Sequence, residues 1–218
     1  MINILIVDDR EDARALLKET IEEYAPSEPA IKVLDTFPLD EVDAYASYIR
    51  EHDISVLLLD ERLNEKSSPQ GKHNSYYGHD VIEKLRNALP EFPVYLVTTY
   101  NEDPDVVAKA GEFEDIVERD TFQKAPQVYM SRISRAATRF LESMQKRLAD
   151  LNELTMKAAS GNLSDAEQTQ LDTIRTVLGL PFTSGSDLMV SDLIVEARAL
   201  ADRSEELIQK IKAKGRAA

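Results

Sequence analysis

The chain has 218 residues, of which 43% are hydrophobic and 30% are charged, a composition typical of globular proteins. It contains no cysteine, which excludes a disulfide framework, a cysteine-ligated metal site and a cysteine nucleophile. No stretch comes near the ~18 apolar residues that a membrane span needs. The first residues also lack the basic region of a signal peptide, so we expect a cytoplasmic protein without a membrane partner.

The charge is unevenly distributed along the chain. The whole chain carries a net charge of −14, and residues 1–124 alone carry −15, whereas residues 125–218 carry +1. This contrast predicts two domains, 1–124 and 125–218. Because an acidic surface repels nucleic-acid phosphates, the composition also argues against a nucleic-acid partner.

The first part of the chain alternates between strand and helix patterns. The predicted strands cover 4–7, 31–34, 54–59, 93–97 and 116–117, and the helices between them cover 11–24, 42–49, 79–89 and 104–111. Nearly continuous apolar runs, as at 54–59, suit strands covered on both faces. The alternation predicts an α/β fold with a doubly wound, five-stranded parallel sheet, whose functional site lies at the carboxyl ends of the strands.

The second part of the chain has the pattern of an all-α region. Apolar spacing predicts three helices, 126–159, 165–178 and 187–213, and Ser164 with Glu167 forms a capping-box pattern before the second. Such helices suit a small bundle or a dimerising hairpin, so a homodimer is left open. The connection before the third helix is longer than a helix-turn-helix allows, and that helix begins with acidic residues, which argues against sequence-specific DNA binding.

Basic residues recur along the first of these helices, and their role has three alternatives. They are Arg132, Arg135, Arg139, Lys146 and Arg147. They could form a face for nucleic acid, dock on the acidic part of the same or a second chain, or simply be solvated.

Acidic residues follow two strands of the predicted sheet at the point where each strand ends. Asp8 and Asp9 come after the first strand and Asp60 after the third, while Thr98 follows the fourth. Neighbouring strands would bring these side chains together, and crowded carboxylates need a cation or raised pKa values. Mg²⁺ with oxygen ligands would relieve the repulsion, and a carboxylate beside Mg²⁺ and a hydroxyl could accept a phosphoryl group. The alternative is that each acid is a solvated loop residue.

Three segments in this order resemble the receiver (CheY-like) domain of two-component response regulators. They are ILIVDDRE at 4–11, LLLD at 57–60 and PVYLVT at 93–98, and the resemblance covers about residues 1–122. It implies a flavodoxin-like fold and a signalling protein that is not a metabolic enzyme, with at most Mg²⁺-dependent self-phosphorylation and autodephosphorylation. The partner would be a sensor histidine kinase or a phosphotransfer protein, and the helical region would relay the signal by protein–protein interaction.

The resemblance also implies roles for individual residues. Asp60 would be the phosphoryl acceptor of the phosphorelay. Asp8, Asp9 and Asp60 would hold Mg²⁺ together with the main-chain carbonyl of Arg62. Thr98 would bond a phosphoryl oxygen and move toward it.

The sequence departs from the family pattern in three places. Arg119-Asp120 stands where the family carries lysine and proline, and Arg119 could pair with phosphate in place of the lysine. Ile116 stands at the position of the switch aromatic, for which Tyr95 or Tyr100 could substitute. These departures favour the alternative of a pseudo-receiver that binds partners without phosphorylation, and a DNA-binding regulator is a further alternative.

The third departure is a long connection between Asp60 and Gly78. We expect its inserted residues, 64–77, to form a mobile loop that is either a lid or docking element or a passive surface loop. His73 and His79 flank Tyr76 and Tyr77 at the end of this segment, and we expect both histidines to be surface residues rather than metal ligands.

Overall fold

A computed structural model describes residues 1–66, 71 and 73–178. The chain divides into two compact units, 1–141 and 142–218. The division at residue 124 that the charge pattern suggests stays a prediction. No helix in the described ranges is both long enough and apolar enough to cross a membrane.

The first unit contains a five-stranded sheet whose strands are all parallel, in the order β2-β1-β3-β4-β5. This confirms the predicted doubly wound fold. The elements are β1 (Ile2–Val7), α1 (Glu11–Tyr24), β2 (Ile31–Thr36), α2 (Ala44–Glu51), β3 (Val56–Leu59), α3 (Gly78–Ala88), β4 (Val94–Thr98), α4 (Pro104–Ala108), β5 (Asp115–Glu118), α5 (Arg119–Lys124) and the first part of α6 (Pro126–Ala159). The six-residue helix α5 was not predicted, because it is too short to show a helical period.

Two hydrophobic clusters cover the two faces of the sheet, as the continuous apolar runs predict. Along β1, Leu5 and Val7 belong to one cluster with the buried side chains of α2 and α3. Ile4 and Ile6 point the other way and belong to a cluster with residues of α1, α5 and α6. Side chains alternate between faces in a strand, so a strand buried on both sides must be apolar at every position.

The first part of α6 packs on this sheet and carries two of the basic residues. Its buried side chains Met130 and Ile133 belong to the second cluster. On the outer side, Arg132 forms an ion pair with Asp115 (2.8 Å) and Arg139 with Glu114 (3.1 Å). For these two arginines the structure supports docking on the acidic part of the same chain.

The second unit, as far as it is described, consists of the remainder of α6 and α7 (Asp165–Leu178). Leu151 and Leu154 of α6 form a small core with Leu171 and Ile174 of α7. The predicted capping box is confirmed, since the Ser164 N–H donates to Glu167 Oε2 (2.9 Å) and the Glu167 N–H donates to Ser164 Oγ (3.4 Å). The predicted helix 187–213 lies outside the described residues.

Candidate functional site

Three buried carboxylates converge at the carboxyl edge of the sheet. Asp8 and Asp9 follow β1 and Asp60 follows β3, and the register pairs Val7 with Leu59, so both strands end at one level. The Asp60 N–H donates to the Val7 carbonyl (3.0 Å), which extends the ladder by one residue. One oxygen from each carboxylate lies within 4.8 Å of the others, and all three residues are buried. The structure thus brings together the three acids that the sequence singled out.

Burial and the nearby charge of Asp60 make the carboxyl groups of Asp8 and Asp9 harder to ionise. Burial, followed by the charge of Asp60, raises the pKa of Asp8 from 3.8 to about 6, although Arg119 partly opposes the shift. Burial also raises the pKa of Asp9. Both shifts follow from the free-energy cost of placing a negative charge where water cannot reach it and other negative charges are near. A bound cation would remove this cost.

Arg119 supplies one positive charge inside the site. It is the first residue of α5, directly after β5, and its Nη2 donates to Asp8 Oδ2 and lies 2.9 Å from Asp60 Oδ1. Burial alone would lower the pKa of Arg119, but the charges of Asp60 and Asp8 outweigh that effect and raise it. One guanidinium therefore bridges two of the three acids.

Thr98 and Arg62 occupy different surroundings. Thr98 is the last residue of β4, the strand next to β3, and it is fully buried. Its Oγ1 accepts a hydrogen bond from the Tyr100 N–H (3.2 Å). The Arg62 side chain is directed to other partners: Nη2 donates to Asp103 Oδ2 (3.1 Å), and the guanidinium lies 4.6 Å from the Tyr100 ring centroid and 5.3 Å from that of Tyr77. The role expected for its main-chain carbonyl stays a prediction.

The donor set fits a hard divalent cation. All three acids present carboxylate oxygens, the ligands that Mg²⁺ prefers. Asp9 Oδ1 is buried and has no hydrogen-bond partner among residues 1–66, 71 and 73–178. Buried polar atoms are normally satisfied, so this orphaned oxygen of a residue in the three-acid cluster is chemically suited to a metal.

The start of the inserted segment is attached to this site. The Lys66 N–H donates to Asp9 Oδ2 (2.6 Å), and the Tyr100 hydroxyl, exposed beyond β4, donates to Glu65 Oε1 (3.1 Å). Near the other end of the segment, Tyr76 is buried and its hydroxyl contacts that of Tyr45 (3.0 Å). The expected mobility of the whole loop stays a prediction, because residues 67–70 and 72 lie outside the described part.

The candidate substitutes for the switch aromatic lie in different places. Ile116 is partly buried against the cluster on the α2–α3 side of the sheet. Tyr95 is buried in the opposite cluster, where burial first and nearby acids second raise its pKa to about 12. Tyr100 is 38% exposed and lies two residues beyond Thr98.

Two buried charged residues near the site, Glu61 and Arg14, were not recognised from the sequence, and the surroundings of His79 differ from those expected. Glu61 is 1% exposed, and its Oε1 lies 2.5 Å from His79 Nδ1, so the expectation that His79 is simply a surface residue is wrong: it pairs with a buried carboxylate. Arg14 is 7% exposed and donates from Nη1 to the Asp8 carbonyl (2.6 Å). A signal for Arg14 existed, since it is a charged residue at helical spacing from Leu17 and Ile21 on the apolar face of α1.

No protein-family model and no curated protein matches the chain. Solved structures that are similar include the response regulator RcsB of Salmonella typhimurium, at 17% identity over 84% of this chain and 94% of that one, with a TM-score of 0.46. A response regulator receiver domain protein of Clostridium thermocellum is 17% identical over 64% of this chain and 96% of that one (TM-score 0.46). Response regulator TrrA of Thermotoga maritima, in complex with Mg²⁺ and BeF, is 17% identical over 61% and 99% (TM-score 0.43).

Proposed function

We propose that the first unit is a phosphoryl-accepting receiver, in which Asp60 takes a phosphoryl group from a sensor histidine kinase or a phosphotransfer protein. The observation that carries the proposal is the convergence of the Asp8, Asp9 and Asp60 carboxylates within 4.8 Å in a buried site. This crowding costs free energy unless cations relieve it. A site that binds a divalent cation and a phosphoryl group accounts for both the acids and the arginine beside them.

The proposed reaction is a transfer from a nitrogen atom to an oxygen atom. A carboxylate oxygen of Asp60 forms a new O–P bond while the P–N bond of the donor's phosphohistidine breaks. The electron pair of the broken bond stays on the imidazole nitrogen, and the ring leaves neutral when its other nitrogen carries a proton. The product is an acyl phosphate on Asp60.

The residues around Asp60 have proposed roles that follow from their positions. The guanidinium of Arg119, 2.9 Å from Asp60 Oδ1, would pair with the oxygens of the added group. The hydroxyl of Thr98 would donate to one of them. Mg²⁺ held by Asp8, Asp9, Asp60 and the carbonyl of Arg62 would neutralise charge on the transferred group.

The test is the intact mass of the full chain after incubation with acetyl phosphate and Mg²⁺. We expect one added phosphoryl group, which is absent without Mg²⁺ and absent in Asp60→Asn. Asp53→Asn is the matched control, because Asp53 is exposed and already has a φ of 52°, a conformation that asparagine tolerates. Mg²⁺ binding without any phosphoryl addition would refute the acceptor role of Asp60.

One observation favours a second candidate function, a pseudo-receiver that works without phosphorylation. Arg119 already bridges Asp8 and Asp60, so a cation belonging to the chain itself neutralises part of the site. On this alternative the protein gains no phosphoryl group and binds no Mg²⁺, and partners recognise the unmodified surface. The same mass measurement, run beside a Mg²⁺ titration, separates the two candidates.

The output is proposed to pass through the helical region by contact with another protein or with a second copy of the chain. Light scattering coupled to size-exclusion chromatography, with and without acetyl phosphate, would detect a phosphorylation-dependent dimer. A DNA-binding output would instead give an affinity for duplex DNA that falls steeply with salt, and we expect no such affinity from the acidic surface.

A further inference from the structure

A buried arginine of α1 contacts the backbone of the acidic site. Arg14 is 7% exposed, and a charge removed from water costs free energy unless it is paired and hydrogen-bonded. Its Nη1 donates to the Asp8 carbonyl (2.6 Å), its guanidinium carbon lies 4.5 Å from the centroid of the Phe37 ring, and its Nε lies 3.7 Å from Asp35 Oδ2. It thereby connects the end of β1 with the end of β2.

The carbonyl that Arg14 holds belongs to the peptide unit that joins Asp8 to Asp9. A planar peptide moves as one body, so fixing its oxygen limits rotation about the bonds on either side and hence the directions of both side chains. A charge-assisted hydrogen bond of this length is a strong restraint. The Arg10 N–H, which donates to Asp8 Oδ1 (2.8 Å), is a second restraint on the same turn.

We infer that Arg14 is a positioning residue for the acidic site, which holds the Asp8–Asp9 peptide so that both carboxylates face Asp60. The inference rests on the proposed function, since it concerns the affinity of this site for a divalent cation. Arg14 contacts this site through its hydrogen bond to the Asp8 main-chain carbonyl, so it acts through the backbone.

The contacts explain why the residue is an arginine. A planar guanidinium can stack on Phe37 while one edge donates to the Asp8 carbonyl and another faces Asp35. A lysine presents one compact ammonium group and would lose the stacking. A neutral side chain would leave the Asp8 carbonyl without its donor, and the turn would be free to rotate.

A neighbouring lysine separates positioning from a general charge effect. Lys18 lies on the next turn of α1 and donates to the same Asp35, at Oδ1 (2.8 Å), rather than to Asp8. Removing a positive charge near a cluster of acids should, by Coulomb's law, strengthen the binding of Mg²⁺. Loss of positioning should weaken it, so the two effects have opposite signs.

The experiment is calorimetric titration of Mg²⁺ into the full chain, with circular dichroism to check folding. We expect Arg14→Met to weaken Mg²⁺ binding about tenfold or more, the range seen when groups that orient metal ligands are removed. Arg14→Lys should fall between Arg14→Met and the unaltered chain, and Lys18→Met should leave the affinity unchanged or slightly raised. Unchanged or tighter binding in Arg14→Met would overturn the inference, and so would an equal weakening in Lys18→Met.

A second readout does not depend on the metal. In the amide NMR spectrum, Arg14→Met should shift the resonances of Asp9 and Arg10, whereas Lys18→Met should leave them in place. If the unaltered chain bound no Mg²⁺, the proposed function would fail, and the amide shifts would still decide whether Arg14 holds the turn. If Arg14→Met did not fold, Arg14→Lys would provide both measurements.

Discussion

Gly78 offers the sharpest test of how closely α3 approaches the candidate phosphoryl acceptor. A β-carbon at this position would lie 2.5 Å from the main-chain oxygen of Asp60, 3.0 Å from Glu61 Oε2 and 3.1 Å from Glu61 Cα. Carbon and oxygen atoms that are not bonded normally stay about 3.3 Å or more apart, so the Asp60 backbone or the start of α3 must shift by ~0.8 Å in Gly78→Ala. The Gly78 N–H also donates to the Glu61 carbonyl (2.9 Å), so neither segment can move alone.

The expected cost follows from overpacking. Forcing extra atoms into a packed site costs about 1–3 kcal/mol, and alanine recovers at most ~1 kcal/mol through its helix propensity. We therefore expect Gly78→Ala to lower the free energy of unfolding by about 1–2 kcal/mol, which corresponds to ~2–8 °C in the unfolding midpoint for a chain of this size. Because the acceptor's own backbone is displaced, phosphorylation by acetyl phosphate should also slow.

The assay is urea unfolding followed by circular dichroism, with Gly111→Ala as the matched control. A β-carbon at Gly111 would meet nothing within 4 Å, so that variant should be neutral or slightly stabilised. The reasoning is refuted if Gly78→Ala is as stable as the unaltered chain, or if Gly111→Ala loses as much stability as Gly78→Ala.

Three further predictions concern the site and the inserted segment. Since the pKa of Asp8 is raised to about 6, the folded state binds that proton more tightly than the unfolded chain, and metal-free stability should fall as pH rises from ~4 to ~6. Mg²⁺ should therefore raise the unfolding midpoint strongly at pH 7.5 and little at pH 5; equal shifts at both values would contradict this. Arg119→Met should tighten Mg²⁺ binding, because it removes a cation that bridges Asp8 and Asp60, and a weaker affinity would argue that Arg119 helps to form the site. Tyr76→Phe should cost ~1–2 kcal/mol in urea unfolding, because its hydroxyl donates to the Leu39 carbonyl and contacts the Tyr45 hydroxyl, and both partners stay buried or half-buried without it; an unchanged midpoint would show that water replaces it.

Local patterns were sufficient to predict the architecture of the first unit. Strands buried on both faces must be apolar at nearly every position, so β1 and β3 are visible as apolar runs. Helix ends are equally local signals: Pro126 begins α6, and the capping box of Ser164 and Glu167 begins α7. Parallel strands joined by helices place Asp8, Asp9 and Asp60 at one edge, so the sequence also predicted which acids would meet.

Only the tertiary structure decided which charged side chains are buried and what they contact. Arg14 and Glu61 are both more than nine-tenths buried. The sequence places Arg14 on the apolar face of α1, but it does not reveal that Arg14 lies against Asp35 of β2 or that Glu61 pairs with His79 of α3. Arg119 follows β5, and its bridge between Asp8 and Asp60 depends on how α5 begins. A helix of six residues is too short to show a helical period in the sequence. The apolar pattern that predicts a strand or a helix involves residues only a few positions apart. The partners of a buried charge, by contrast, come from segments distant in sequence. The sequence therefore specified the sheet and its acidic edge, and the packing of the helices determined the electrostatics of the site.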